Sequence, residues 1–201
     1  MLEDYITTEF ILGLILIFAR ISMLFIFIPG LSNNKIPVKI RTSIAILISL
    51  IVLPNINLNL PINLTTPNIF LEYLVYELLI GLLFSMIAKF YFMAANIAGM
   101  MITMQSGLGA SAFFDPNTSS QSTGISSFIM MIIVVLIFVT DTHYLFLEAI
   151  IDSYNNFLPG SILNIADMTA MITENFNSSF ILAFKIASPF LVVNLSMLIG
   201  G

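Results

Sequence analysis

The sequence predicts an all-α membrane protein with about five apolar helices, one of them long. Three observations carry this expectation. Hydrophobic residues make up 59% of the 201 residues and charged residues only 8%, whereas soluble domains are about 45–50% apolar and about 25% charged. Mean hydropathy is +1.05. The apolar residues also fall in runs long enough to approach a roughly 30 Å hydrocarbon core at about 1.5 Å rise per residue. A soluble fold so poor in charge cannot cover its surface with polar groups. A bilayer accepts such a surface, provided that helices satisfy the backbone.

Composition excludes several function classes. There are no cysteines, so disulfides, thiolate metal sites and cysteine nucleophiles are ruled out. The lone histidine, His143, would need carboxylates to complete any metal site, and no metal or cofactor is expected. A net charge of −5 is no footprint for nucleic acid. Glu3, Asp4 and Glu9 precede the first apolar run where a signal peptide would place basic residues. With no small-residue cleavage site after that run, it is expected to stay in the mature chain.

Residues 10–28 form the first apolar run, broken only by Arg20 and ended by Pro29-Gly30. A basic link follows, with Lys35, Lys39, Arg41 and Pro37. Residues 40–53 are apolar but short, reaching a full span only by drawing in the link. Pro54, Pro61 and Pro67, with asparagines between, mark an uncharged loop. The positive-inside rule puts the Lys35–Arg41 link in the cytoplasm, and the acidic N-terminus and Asn-rich loop outside.

The longest helical pattern covers residues 69–104 without a proline and carries Glu72, Glu77 and Lys89. It exceeds one perpendicular span. Residues 105–124 are small and polar, with Gly107, Gly109, Pro116 and many serines around the adjacent Phe113 and Phe114. Two readings stand for this segment: a pore-lining or plugging loop, since irregular backbone at membrane depth needs protein or an aqueous cavity around it, or an ordinary external loop with a helix cap near Asp115-Pro116. Residues 125–139 are apolar, Thr140-Asp141-Thr142-His143 interrupts, and 144–151 resume. Residues 152–174 read as a polar loop with Pro159-Gly160. Residues 176–199 form the last apolar run, interrupted by Lys185 and Pro189. The chain is thus one membrane domain: an N-terminal hairpin and loop (1–68), the long helix (69–104), the polar loop (105–124), a helix with a polar loop (125–175) and a final arm (176–201).

Arg20, Glu77, Lys89 and Lys185 are charges inside apolar runs, a position that suggests function by default. They fit an ion pathway in a stand-alone ion-coupled transporter using Arg20, Glu77 and Lys89. Inter-helix pairs or snorkelling groups fit them better, the latter for Lys89 and Lys185 above all, since a buried ion mostly needs only a partner. A transporter often shows inverted repeats, and none is visible. Gly81 and Ser85, then Ala95, Gly99 and Thr103, recur at a spacing that lets helix backbones approach closely. Glu77 lies one turn before Gly81, so it is placed to face a close-packed helix. An enzyme reading, with Ser111 of Gly109-Ala110-Ser111-Ala112 as nucleophile and His143 as base, fails on context. The serine lies in a loop and the histidine roughly a full span further along.

The ordered motifs resemble the FliR family of flagellar export-gate proteins and its counterparts in type III secretion. They run Ala19-Arg20, Pro29-Gly30, Lys35-Ile36-Pro37 with Lys39 and Arg41, Glu77-Leu78-Leu79-Ile80-Gly81 and Ala98-Gly99. Gln105-Ser106-Gly107-Leu108, Phe114-Asp115-Pro116-Asn117, His143-Tyr144-Leu145, Leu158-Pro159-Gly160-Ser161, Pro189-Phe190 and Asn194-Leu195 continue the series over nearly the whole chain.

The resemblance implies a non-enzymatic subunit of the gate through which unfolded flagellar or secreted proteins cross the bacterial inner membrane. It implies bent helical hairpins packed into a multi-subunit helical cone with FliP-like and FliQ-like subunits, joined by FlhB-like and FlhA-like components. It implies a pore plug after the long helix, here Gln105, Gly107, Gly109, Phe113, Phe114, Asp115 and Pro116, with the two glycines as hinges. Arg20, Glu77, Gly81, Lys89, Gly99 and Lys185 remain as intramembrane charges and packing positions. The family continues past Asn194-Leu195 into a returning helix, whereas this sequence closes at Leu198-Ile199-Gly200-Gly201, so the C-terminal hairpin is expected to lack its second arm.

Overall fold

In the computed structural model, residues 2–27, 37–56, 66–107, 124–160 and 164–200 are described. Among them the regular structure is entirely helical: α1 Leu2–Phe27, α2 Val38–Val52, α3 Pro67–Gln105, α4 Gly124–Val139, α5 His143–Asn156 and α6 Ile165–Gly200. Over the described residues the fold is all-α, as expected from the long apolar runs. α3 and α6 are long and apolar enough to cross a membrane, as is the stretch Val38–Asn55. α4 and α5 taken together allow a fourth crossing.

The helix limits follow from local chemistry. α2 gains its length from both ends: it starts directly after Pro37, within the basic link, and runs into a 3-10 turn, Leu53–Asn55, built on Pro54. Proline suits the first positions of a turn because it has no amide hydrogen to satisfy there. α4 stops where Asp141 adopts φ 56°, a left-handed conformation that aspartate tolerates better than most residues. At that end Thr140 donates from its backbone N–H and its hydroxyl to the Leu136 carbonyl, at 2.9 Å and 2.7 Å.

Two expected boundaries are corrected. The first helix begins at Leu2, not Phe10. Residues 152–174, expected as one polar loop, hold the end of α5 and the opening turns of α6. Asn164 caps α6: its Oδ1 accepts the Ala166 amide at 3.1 Å. Pro189, expected to interrupt the last run, lies inside α6. A proline there leaves the carbonyl four residues earlier without its amide donor. That carbonyl belongs to Lys185, and the Ser188 hydroxyl donates to it at 2.9 Å, so the helix continues.

The chain divides into two compact units. The first comprises Met1–Met86 and Thr142–Ala170. Its core is formed by Ile17, Ile21 and Leu24 of α1, Ala45 and Val52 of α2, and Ile150 and Tyr154 of α5. The second comprises Ile87–Asp141 and Met171–Gly201. There α3 and α6 meet at several points: Phe90 meets Phe176 edge to face at 5.4 Å, Tyr91 donates to the Asn175 side chain at 3.2 Å, and Asn194 donates to Gln105 further along both helices. The small residues predicted to allow close approach on this part of α3 pack inward: Ala95 and Thr103 are buried, as is the neighbouring Ala98. A Cβ on Gly99 would collide with the Ser126 backbone of α4, whose hydroxyl donates to the Asn96 carbonyl at 3.1 Å.

Candidate functional site

The densest polar constellation lies in the first unit, around Arg20. Arg20 and Glu77 are both fully buried. The guanidinium grips the carboxylate with two hydrogen bonds, Nε to Oε2 at 2.5 Å and Nη2 to Oε1 at 2.9 Å. This forked geometry is what a planar guanidinium offers a carboxylate. Nη1 donates to the Ser153 hydroxyl at 3.0 Å, and Nη2 also reaches the Phe157 carbonyl at 3.1 Å. The Tyr154 ring lies 3.6 Å from the Arg20 Cζ, a cation–π contact, and its hydroxyl donates to Glu77 Oε2 at 3.5 Å.

Arg20 therefore ties α1 to α3, to α5 and to the chain leaving α5. The neighbouring glycines make the closeness possible. A Cβ on Gly81 would lie 2.5 Å from the Arg20 carbonyl oxygen and 2.9 Å from the Met23 Cβ. Gly160 has φ 75°, and a Cβ there would run into the Tyr73 ring. The constellation is built for holding helices. Both carboxylate oxygens of Glu77 are engaged, and among the described residues no cluster of three or more His, Asp or Glu side chains could hold a metal ion.

The other predicted residues are distributed as follows. Lys89 on α3 and Lys185 on α6 are exposed. His143 opens α5 with its ring 4.2 Å from that of Tyr144. Gln105 closes α3, and Gly107 follows with φ 73°. Gly109, Ser111, Phe113, Phe114, Asp115 and Pro116 lie outside the described residues, as do Pro29, Gly30 and Lys35.

Sequence reasoning singled out Arg20 and Glu77 but not what surrounds them. Ser153, Tyr154 and the Phe157 carbonyl belong to a stretch expected to be loop. The signal was there in the spacing: Ile150, Ser153 and Tyr154 share one helical face, and all three are buried. Asn194 was noted only within a motif. Its Nδ2 donates to the Gln105 Oε1 in the second unit.

Comparison with known proteins adds what geometry alone does not carry. The family model for bacterial export proteins, family 1, matches residues 11–200. The chain is 30% identical over 181 residues to the flagellar biosynthetic protein FliR of Caulobacter vibrioides, covering 90% of this chain and 72% of that one. It is 29% identical over 178 residues to FliR of Bacillus subtilis, covering 87% and 68%. It is 32% identical over 198 residues to FliR of Aquifex aeolicus, covering 96% and 74%.

Proposed function

Because the chain belongs to the bacterial export proteins, family 1, we propose that it is a structural and gating subunit of the inner-membrane export gate of a flagellar or type III secretion apparatus. The observation that carries this is the family match, which covers residues 11–200. Its FliR relatives support a component of a flagellar export apparatus over the transporter built on Arg20, Glu77 and Lys89. The family is one of export proteins, and the chain is not an enzyme.

Within that role the two units are read separately. The Arg20–Glu77 constellation is a fixed structural joint. The segment from Gln105 through Gly107, Gly109, Phe113, Phe114, Asp115 and Pro116 is the pore plug, where an apolar constriction closes by dewetting. The partners are FliP-like and FliQ-like subunits, with FlhB-like and FlhA-like components nearby, and the cargo is unfolded protein. Exposed apolar side chains on α6, among them Phe190, Val192, Val193 and Leu195, support a surface that other subunits and membrane lipid cover.

The test is co-purification in detergent of the tagged chain with the FliP-like and FliQ-like proteins of its own organism. A stable stoichiometric complex is expected, and failure to form one, also with a longer chain, removes the assembly role. The plug is tested in the assembled gate by replacing Phe113 and Phe114 with alanine. Ion leak across a vesicle membrane is expected to rise, and a double variant as tight as wild type ends the plug reading.

A further inference from the structure

α6 carries a lysine where its outer face is apolar. Lys185 is exposed, and the buried Ala183 and Ala187 stand two residues to either side of it, about half a turn round the helix. The side chain therefore leaves α6 on the face opposite its packed stripe. Ile181 and Val192 share that outer face and are exposed too. Among the described residues, no carboxylate forms an ion pair with Lys185.

Two polar pairs bracket this part of the second unit. Tyr91 of α3 donates to the Asn175 side chain of α6, and Asn194 donates to Gln105 further along. The length of α6 between Asn175 and Asn194 is about 28 Å, close to the roughly 30 Å thickness of a hydrocarbon core. Lys185 stands near the middle, roughly 14 Å along the axis from either asparagine. Ser178, the exposed polar side chain nearest before it, is about 10 Å away. A lysine stem is shorter than that, so the ammonium does not snorkel to the level of Ser178. A charge held at such a depth needs a counter-charge there.

We propose that this face of α6 docks a helix of a neighbouring gate subunit, apolar apart from one carboxylate that meets Lys185. The inference rests on the reading of the chain as an export-gate subunit, and it names the surface and the charge by which that neighbour is joined. Charge complementarity selects the occupant. A lipid tail carries no charge, and a lipid phosphate lies at the membrane surface. A passing unfolded chain offers no fixed charge. A second copy meeting the same face would set lysine against lysine. Ile181 and Val192 supply the apolar contact that keeps water from the pair.

The test uses the full chain with its FliP-like and FliQ-like subunits. Lys185→Leu is expected to leave thermal unfolding of the chain alone unchanged, because the ammonium has no ion pair within it. The same change should lower recovery of the complex roughly tenfold or more. Lys185→Arg should keep the complex, and Lys185→Glu should abolish it. A benzophenone side chain introduced at Ile181 or Val192 is expected to capture a subunit segment with an Asp or Glu within one turn of the cross-link. Changing that acidic residue to lysine should rescue Lys185→Glu. Capture of lipid alone, or of a second copy of this chain, overturns the inference. So does Lys185→Leu lowering the stability of the chain alone, which would place the role of the lysine within the chain. Recovery of the complex with Lys185→Glu at the wild-type level also overturns it and leaves the export-gate reading standing. If the unaltered chain forms no complex, that reading falls and the inference with it.

Discussion

Gly81 lies against the Arg20 backbone one helical turn after Glu77 binds the Arg20 side chain. α3 therefore grips a single residue of α1 twice, at its carbonyl and at its guanidinium. The two contacts depend on each other, because the side-chain bonds need the helices close and only glycine lets them approach.

Breaking the pair from one side leaves a buried charge without its counterpart. Arg20→Leu and Glu77→Gln are each expected to destabilise the first unit by about 3–5 kcal/mol. Replacing both with leucine should cost less than the two single changes together, since a buried pair is often replaceable by apolar groups. Thermal unfolding in detergent checks this. Simple additivity would mean that the two residues do not act as one unit.

The glycines should differ by position. Gly81→Ala is expected to lower stability by about 1–3 kcal/mol, because overpacking displaces a backbone. Gly124→Ala should leave it unchanged or slightly raised, since a Cβ there meets nothing within 4 Å. Equal effects at the two sites, read by the same unfolding assay, would contradict the close α1–α3 approach.

Gly160 carries two separate constraints, and a background mutation separates them. Gly160→Ala forces a Cβ into the Tyr73 ring and also strains a backbone at φ 75°. In a Tyr73→Ala background the collision disappears and a strain of about 1–2 kcal/mol should remain. No residual effect in that background would show that the turn relaxes to another conformation.

Ser188 has a role visible only beside Pro189. Ser188→Ala removes the donor to the Lys185 carbonyl and should lower stability by about 1 kcal/mol. In a Pro189→Ala background the restored amide supplies that donor, and the serine substitution should become nearly neutral. A penalty that persists there would assign the serine a different partner.

The long helix was legible because no proline interrupts residues 69–104 and apolar side chains dominate it, so propensity and hydropathy agreed. Arg20 and Glu77 were legible because a charge in an apolar run is conspicuous. Their pairing was not, because 57 positions separate them and sequence spacing says nothing about which helices meet. The start of α6 was missed for a different reason. Unbroken apolarity served as the mark of a helix, and Thr169, Thr173, Glu174 and Asn175 break it. A helix that extends beyond its apolar stretch keeps its backbone bonds whatever its side chains are. Tyr154 escaped notice because it falls in residues 152–174, expected as a polar loop, and nothing in its local sequence tells of the cation over its ring.

The partners of Arg20 lie 57, 133 and 137 positions further along the chain. During synthesis α1 leaves the ribosome with a cation that nothing yet neutralises, and it waits until α3 has been made. Ser153 and Phe157 arrive later still. The first helix should accordingly remain beside the translocation machinery, settling only when Glu77 emerges. Nascent chains stalled before and after that residue, probed for alkali extraction from membranes, should differ in how firmly α1 is held.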